Sequence, residues 1–138
     1  MKNRLYYFML LSFVNAQIEY NHPELNWFTF ETPHFKVHYH EETENTAREA
    51  ATVAEIIYPR ITEFYDFEPK EKTHLVLIDP DDYSNGAAYY YDNKIMIWAS
   101  PLDFELRGSH RWLQNVITHE FAHIVSLQKS MKAGTSLP

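Results

Sequence analysis

Apolar and polar positions along this chain fall into two periods, and the change between them marks the elements. Residues 34 to 40, "HFKVHYH", alternate, with Phe35, Val37 and Tyr39 on one face and Lys36, His38 and His40 on the other. That is the pattern of a half-buried strand. From residue 41 to about 67 the period lengthens. Ala47, Ala50, Ala51, Ala54, Ile57, Ile61 and Phe64 recur every three or four residues, which predicts an amphipathic helix. Glu41, Glu42 and Glu44 suit its N-terminus, and Pro59 should kink or divide it. "THLVLIDP", residues 73 to 80, is nearly continuous apolar sequence and reads as a central strand buried on both faces.

"AAYYYDNKIMIWAS", residues 87 to 100, divides at Asp92-Asn93 into two β-prone runs, a hairpin with a tight turn. "DDYSNG" before it, residues 81 to 86, reads as a loop. It lacks the glycine and distal glutamate of a helix–loop–helix calcium site. A final helix should run from about His110 to Met131, capped by Ser109 and buried through Val116, Ile117, Phe121, Ala122, Ile124, Val125 and Leu127. Residues 17 to 33 are mixed and suggest no element. The order strand, helix, strand, hairpin, helix predicts one α+β domain, which 138 residues suffice to build.

Charge narrows the partners. Net charge is -7 and no basic block interrupts it, which disfavours nucleic acid and anionic membrane surfaces. Lys2 and Arg4, followed by the apolar run "LYYFMLLSFV" and Val14-Asn15-Ala16, form an export signal over residues 1 to 16. Ten apolar residues are too few to span a bilayer about 30 Å thick, so no stable anchor is expected after cleavage. Residues 17 to 138 are then expected to be the N-terminal part of a domain truncated at its C-terminus, lying outside the cytoplasm: periplasmic, at the cell surface or extracellular. Cysteine is absent, so any metal must be held by histidine and carboxylate.

"THEFAHIVSL", residues 118 to 127, carries the candidate chemistry. His119 and His123 are one helical turn apart, so both imidazoles can aim at a single zinc ion. Glu120 follows the first histidine and can act as general base toward a metal-activated water. Placing such a trio on a buried helix is costly unless a metal compensates. A third ligand is required. Ser126 and Lys129 stand where the H-x-x-G-x-x-H continuation would need glycine and histidine, and no Asp, Glu or His follows His123. A glutamate on a later helix, beyond Pro138, is the expected third ligand. His34, His38 and His40 are competing metal candidates, His38 and His40 as a pair on one strand face, but strand histidines are more often solvated, and His74 and His110 stand alone and are expected to be ordinary.

With "FKVHYH", "HLVLIDP", "AAYYYDNKIMIWASP" and "LQNVITHEFAHIVSLQ", the chain resembles the gluzincin branch of zinc metallopeptidases over residues 27 to 131. It is most similar to the peptidase MA-like domains of exported bacterial proteins. The resemblance implies a zincin-like fold: a small twisted mixed sheet, a backing helix, and the metal helix packed beneath. It implies His119 and His123 as zinc ligands and Glu120 as catalytic base. It also implies an edge strand, Ala87, Ala88, Tyr89, Tyr90 and Tyr91, pairing with an extended peptide or protein substrate. The expected activity is a zinc metalloendopeptidase; the alternative is a non-catalytic scaffold that uses the same edge to hold a partner.

Overall fold

The computed structural model describes residues 23–79, 85–98 and 112–134. The expected export signal, most of the expected acidic loop, Ser109 and His110 lie outside the described residues. Five strands form one mixed sheet: β1 (Trp27–Glu31), β2 (Phe35–His40), β3 (Thr73–Ile78), β4 (Asn85–Tyr89) and β5 (Lys94–Trp98), in the order β1-β2-β3-β5-β4. The strands β2, β3 and β5 run parallel, and the two outer pairs are antiparallel. A short 3-10 turn (Glu41–Thr43) leads into α1 (Glu44–Tyr65), and α2 (Trp112–Gly134) follows the hairpin. This is an α+β fold.

Register explains the core. Val37, Leu75 and Ile95 stand in one row across three strands, and Leu77 pairs with Ile97. These side chains and Phe35 are fully buried in one cluster with Ala47, Ala50, Ala54 and Ile57 of α1 and Ile117, Phe121, Ile124 and Val125 of α2. Both helices therefore cover the same sheet face. Phe121 joins the layers: its ring lies 5.3 Å from Phe35 and 5.5 Å from Tyr58. Lys129 extends its ammonium to the carbonyl of Tyr65, the last residue of α1. A cation there complements an exposed helix C-terminus. Asp66 takes the left-handed conformation (φ 46°) and donates its N–H to the carbonyls of Glu63 and Thr62, which ends α1.

Several expectations need correction. The mixed stretch before Pro33 contains β1, a strand the pattern concealed because nearly all its residues are exposed. Pro59 does not divide α1, which runs unbroken through it; the hydroxyl of Thr62 bonds the carbonyls of Tyr58 and Pro59 on this turn. Phe64 is 80% exposed, because the buried stripe of α1 passes through Tyr58 and Thr62 instead. Leu127 is likewise exposed. In β3 only one face is fully buried; His74 and Val76 on the other are half-buried.

The hairpin differs too. Its second-to-last strand is Asn85–Tyr89, so Asn85 and Gly86 belong to β4 and not to the loop, while Tyr90 and Tyr91 lie in the turn. Tyr89 and Lys94 form the last strand pair, which leaves a four-residue connection rather than a tight two-residue one. Asn93 adopts φ 49°, a conformation asparagine tolerates better than most residues.

Candidate metal centre

In α2 the fully buried residues Ile117, Phe121, Ile124 and Val125 hold one side of the helix in the core. That orientation turns His119 and His123 outward, and both are exposed. The two imidazoles are thus not buried, and the desolvation cost expected for them does not arise. The helix is amphipathic: its apolar residues face the sheet and α1, and its imidazoles lie on the outer side.

The two rings nevertheless converge. Their Nε2 atoms are 3.0 Å apart, with ring centroids 4.6 Å apart and ring planes at 86°. Tetrahedral zinc with bonds of about 2.0–2.1 Å would place two ligand nitrogens about 3.3 Å apart, so only a small opening of the pair is required. A second histidine pair provides an internal comparison. His38 Nε2 lies 2.8 Å from His74 Nδ1, with centroids 5.0 Å apart and planes at 17°. Its centroid distance exceeds its nitrogen distance by 2.2 Å, against 1.6 Å for the α2 pair. The His38–His74 rings thus meet nearly head-on, as in a shared hydrogen bond. Those of His119 and His123 meet at an angle, and their Nε2 atoms are likewise within hydrogen-bond distance.

Glu120 is half-buried and faces the sheet edge. An ideal Cβ on Gly86 of β4 would lie 3.0 Å from Glu120 Cγ and 3.2 Å from its Oε1. The carboxylate therefore sits directly against the backbone of an edge strand. Among the described strands β4 pairs with β5 alone, so it lies at the edge of the described sheet. A cavity of about 490 Å³ opens there, bounded by Asn85, Gly86, Trp112, Asn115, Val116, His119 and Glu120. None of Asn85, Gly86, Trp112 and Asn115 was singled out from the sequence. Asn85-Gly86 has the composition of a turn, and only the register places it over α2.

The other residues expected at the substrate strand divide between two faces. Gly86 and Ala88 stand opposite Ile97 and Ile95 and so face the helices. Ala87 and Tyr89 face the opposite way, and the Tyr89 ring lies under the Lys94 ammonium at 4.6 Å. The carbonyl of Tyr90 accepts a hydrogen bond from Gln128 of α2, and Tyr91 is exposed in the turn. Tyr89, Tyr90 and Tyr91 therefore do not form one row over Glu120.

The remaining histidines depart from the solvated expectation. His34 donates through its backbone N–H to Glu55 Oε1 and bonds Oε2 through Nδ1 at 2.7 Å, and its ring stacks on Tyr58. Burial pushes the Glu55 carboxyl upward, but the bonds from His34 and Thr32 outweigh it and hold the group below its usual value. His38 is bonded to Thr29 Oγ1 and to His74, not paired with His40. Burial, with the neighbouring His74 and Lys36, lowers its pKa from the ordinary 6.5. His40 is 2% exposed, with Trp27 packed edge-on against its ring.

No family model, curated protein or solved structure matches the chain. Among the described residues, no group of three or more His, Asp or Glu side chains converges on one point. The donor set present there is therefore two imidazoles. These suit zinc by chemistry and spacing and need further ligands to complete the site.

Proposed function

We propose that this chain is a zincin-like, zinc-dependent metallopeptidase domain of an exported protein, cleaving peptide bonds within extended segments. One arrangement carries the reading: two converging imidazoles, and next to them a carboxylate lying against the outermost described strand. His119 and His123 would hold the ion, with a third ligand from outside the described residues. Zinc bound there supplies Lewis-acid polarisation of the scissile carbonyl and makes water easier to deprotonate.

The chain's own groups do the rest. The open side of β4 pairs with the substrate backbone and fixes it in extended form. Glu120 accepts a proton from the attacking water as oxygen bonds to the carbonyl carbon. It then delivers that proton to the amide nitrogen as the C–N bond breaks. Two half-reactions through one carboxylate leave Glu120 as it began.

The test is zinc content per chain and hydrolysis of unstructured peptides. Glu120→Gln should keep zinc and lose about 10²–10⁴-fold in rate, because an amide cannot accept the proton. His123→Ala should lose zinc and activity together. A Glu120→Gln protein that cleaves at the wild-type rate refutes the assignment. A wild-type protein that binds zinc but cleaves nothing across a broad peptide library favours the scaffold alternative.

A further inference from the structure

Gly86 marks the closest approach of the edge strand to the metal helix. No side chain fits there: an ideal Cβ would lie 2.5 Å from Val116 Cγ1, as well as 3.0 and 3.2 Å from Glu120 Cγ and Oε1. Val116 and Glu120 are four residues apart and share one stripe of α2, so the strand backbone rests on both. Glycine serves here by its small size, since a β-strand needs no unusual backbone angle. The row across the sheet fixes the same direction, because Gly86 stands opposite Ile97, whose side chain is buried beneath the helices.

We infer that Gly86 is a positioning residue for the Glu120 carboxylate: its missing side chain lets the edge strand and the proposed base occupy adjoining positions. The inference rests on the metallopeptidase reading for its catalytic meaning. Carbon–carbon contacts are most favourable at about 3.5–4.0 Å, so a methyl at position 86 would have to displace Glu120 Cγ by about 0.5 Å or more. Val116 yields poorly, since a β-branched side chain in a helix has one strongly preferred rotamer. Glu120 has the looser side chain and moves first. A misplacement of about 1 Å in a reacting group can cost about 10²-fold, so a shift of half that size predicts roughly a tenfold loss.

Gly86→Ala alone combines two effects, because the Val116 contact could disturb the strand. Gly86→Ala/Val116→Ala removes Cγ1 and leaves only the crowding at Glu120, and Val116→Ala serves as the control. Three quantities are read: zinc per chain, kcat and KM on denatured casein, and the Glu120 carboxylate position in crystals of the metal-free double variant. The expected result is zinc content and KM close to those of Val116→Ala, kcat lower by about tenfold, and a displaced carboxylate. Recovery of kcat to the control value with the carboxylate in place would show that Gly86 serves only packing on Val116, and would overturn the inference. Should the wild-type protein neither bind zinc nor cleave casein, the functional reading fails. The crystallographic result still decides whether Gly86 positions Glu120, since an unmoved carboxylate overturns that claim independently.

Discussion

Replacing Phe121 by alanine should separate what holds α2 in place from what it displays. Phe121 lies inside the H-E-x-x-H stretch, yet its side chain is fully buried between Phe35 and Tyr58. Truncating a buried phenylalanine costs about 3–5 kcal/mol, as lost transfer energy plus the cavity left behind. Two aromatic partners place this site toward the upper end, since each such pair contributes about 0.5–1.5 kcal/mol beyond area. A loss of about 4 kcal/mol is a large part of the 5–15 kcal/mol typical of a domain. Urea unfolding of the metal-free protein, followed by intrinsic fluorescence, is a direct assay. With a slope of about 2 kcal/mol per molar, the midpoint should fall by about 2 M. His119→Ala and His123→Ala, under the same metal-free conditions, should stay within about 0.5 kcal/mol of wild type because both rings are exposed. A Phe121→Ala loss below about 1 kcal/mol, or histidine variants that cost as much as Phe121→Ala, would refute this division of the helix.

Two further outcomes follow from the polar contacts. Glu55→Ala removes the acceptor for the Thr32 hydroxyl, the His34 N–H and the His34 ring, and should cost about 2 kcal/mol in the same unfolding assay. Glu55 has a folded pKa below its ordinary value, so its contribution is present above about pH 4.5 and is lost as pH falls through the folded value. His38 also has a lowered folded pKa, so the unfolded chain takes up its proton first. Its contribution is complete above about pH 6.5 and declines as pH falls below that. His38→Gln should therefore flatten the stability profile below about pH 6.5, as measured by thermal unfolding at descending pH; an unchanged slope would remove His38 as its source.

How much of this was legible in the residues depended on whether one face of an element is buried. The strand at Phe35 and the helix stripe through Ala47, Ala50, Ala54 and Ile57 were readable because burial imposes a period. Strand β1 was not, since Trp27 and Phe28 are both substantially exposed and no face is sorted from the other. The start of β4 was missed for a different reason. Asn-Gly normally marks a turn, whereas Gly86 is used here for close approach to α2. The spacing of His119 and His123 predicted their convergence. Their exposure follows from the helical phase of Ile117, Phe121, Ile124 and Val125, which sets both imidazoles on the opposite side; the largely apolar composition of the stretch masked this. His38 and His74 are 36 positions apart, and only the parallel pairing of β2 with β3 brings them together.

Asn93 has a consequence for how β4 can behave. Its amide donates to the carbonyls of Glu71 and Lys72, and its Oδ1 accepts from Thr73 Oγ1 and Gln128 Nε2. The same Gln128 nitrogen also reaches the carbonyl of Tyr90. The turn end of the hairpin is thereby riveted to α2, while the opposite end of β4 is seated on Val116 and Glu120 through Gly86. A ribbon fastened at both ends cannot swing as a flap without breaking several hydrogen bonds at once. A chain adding to this edge meets a rail already set in place, so the ordering entropy of the encounter falls mainly on the incoming segment. Affinity at such an edge responds more to the stiffness of the guest than to any loosening of the host.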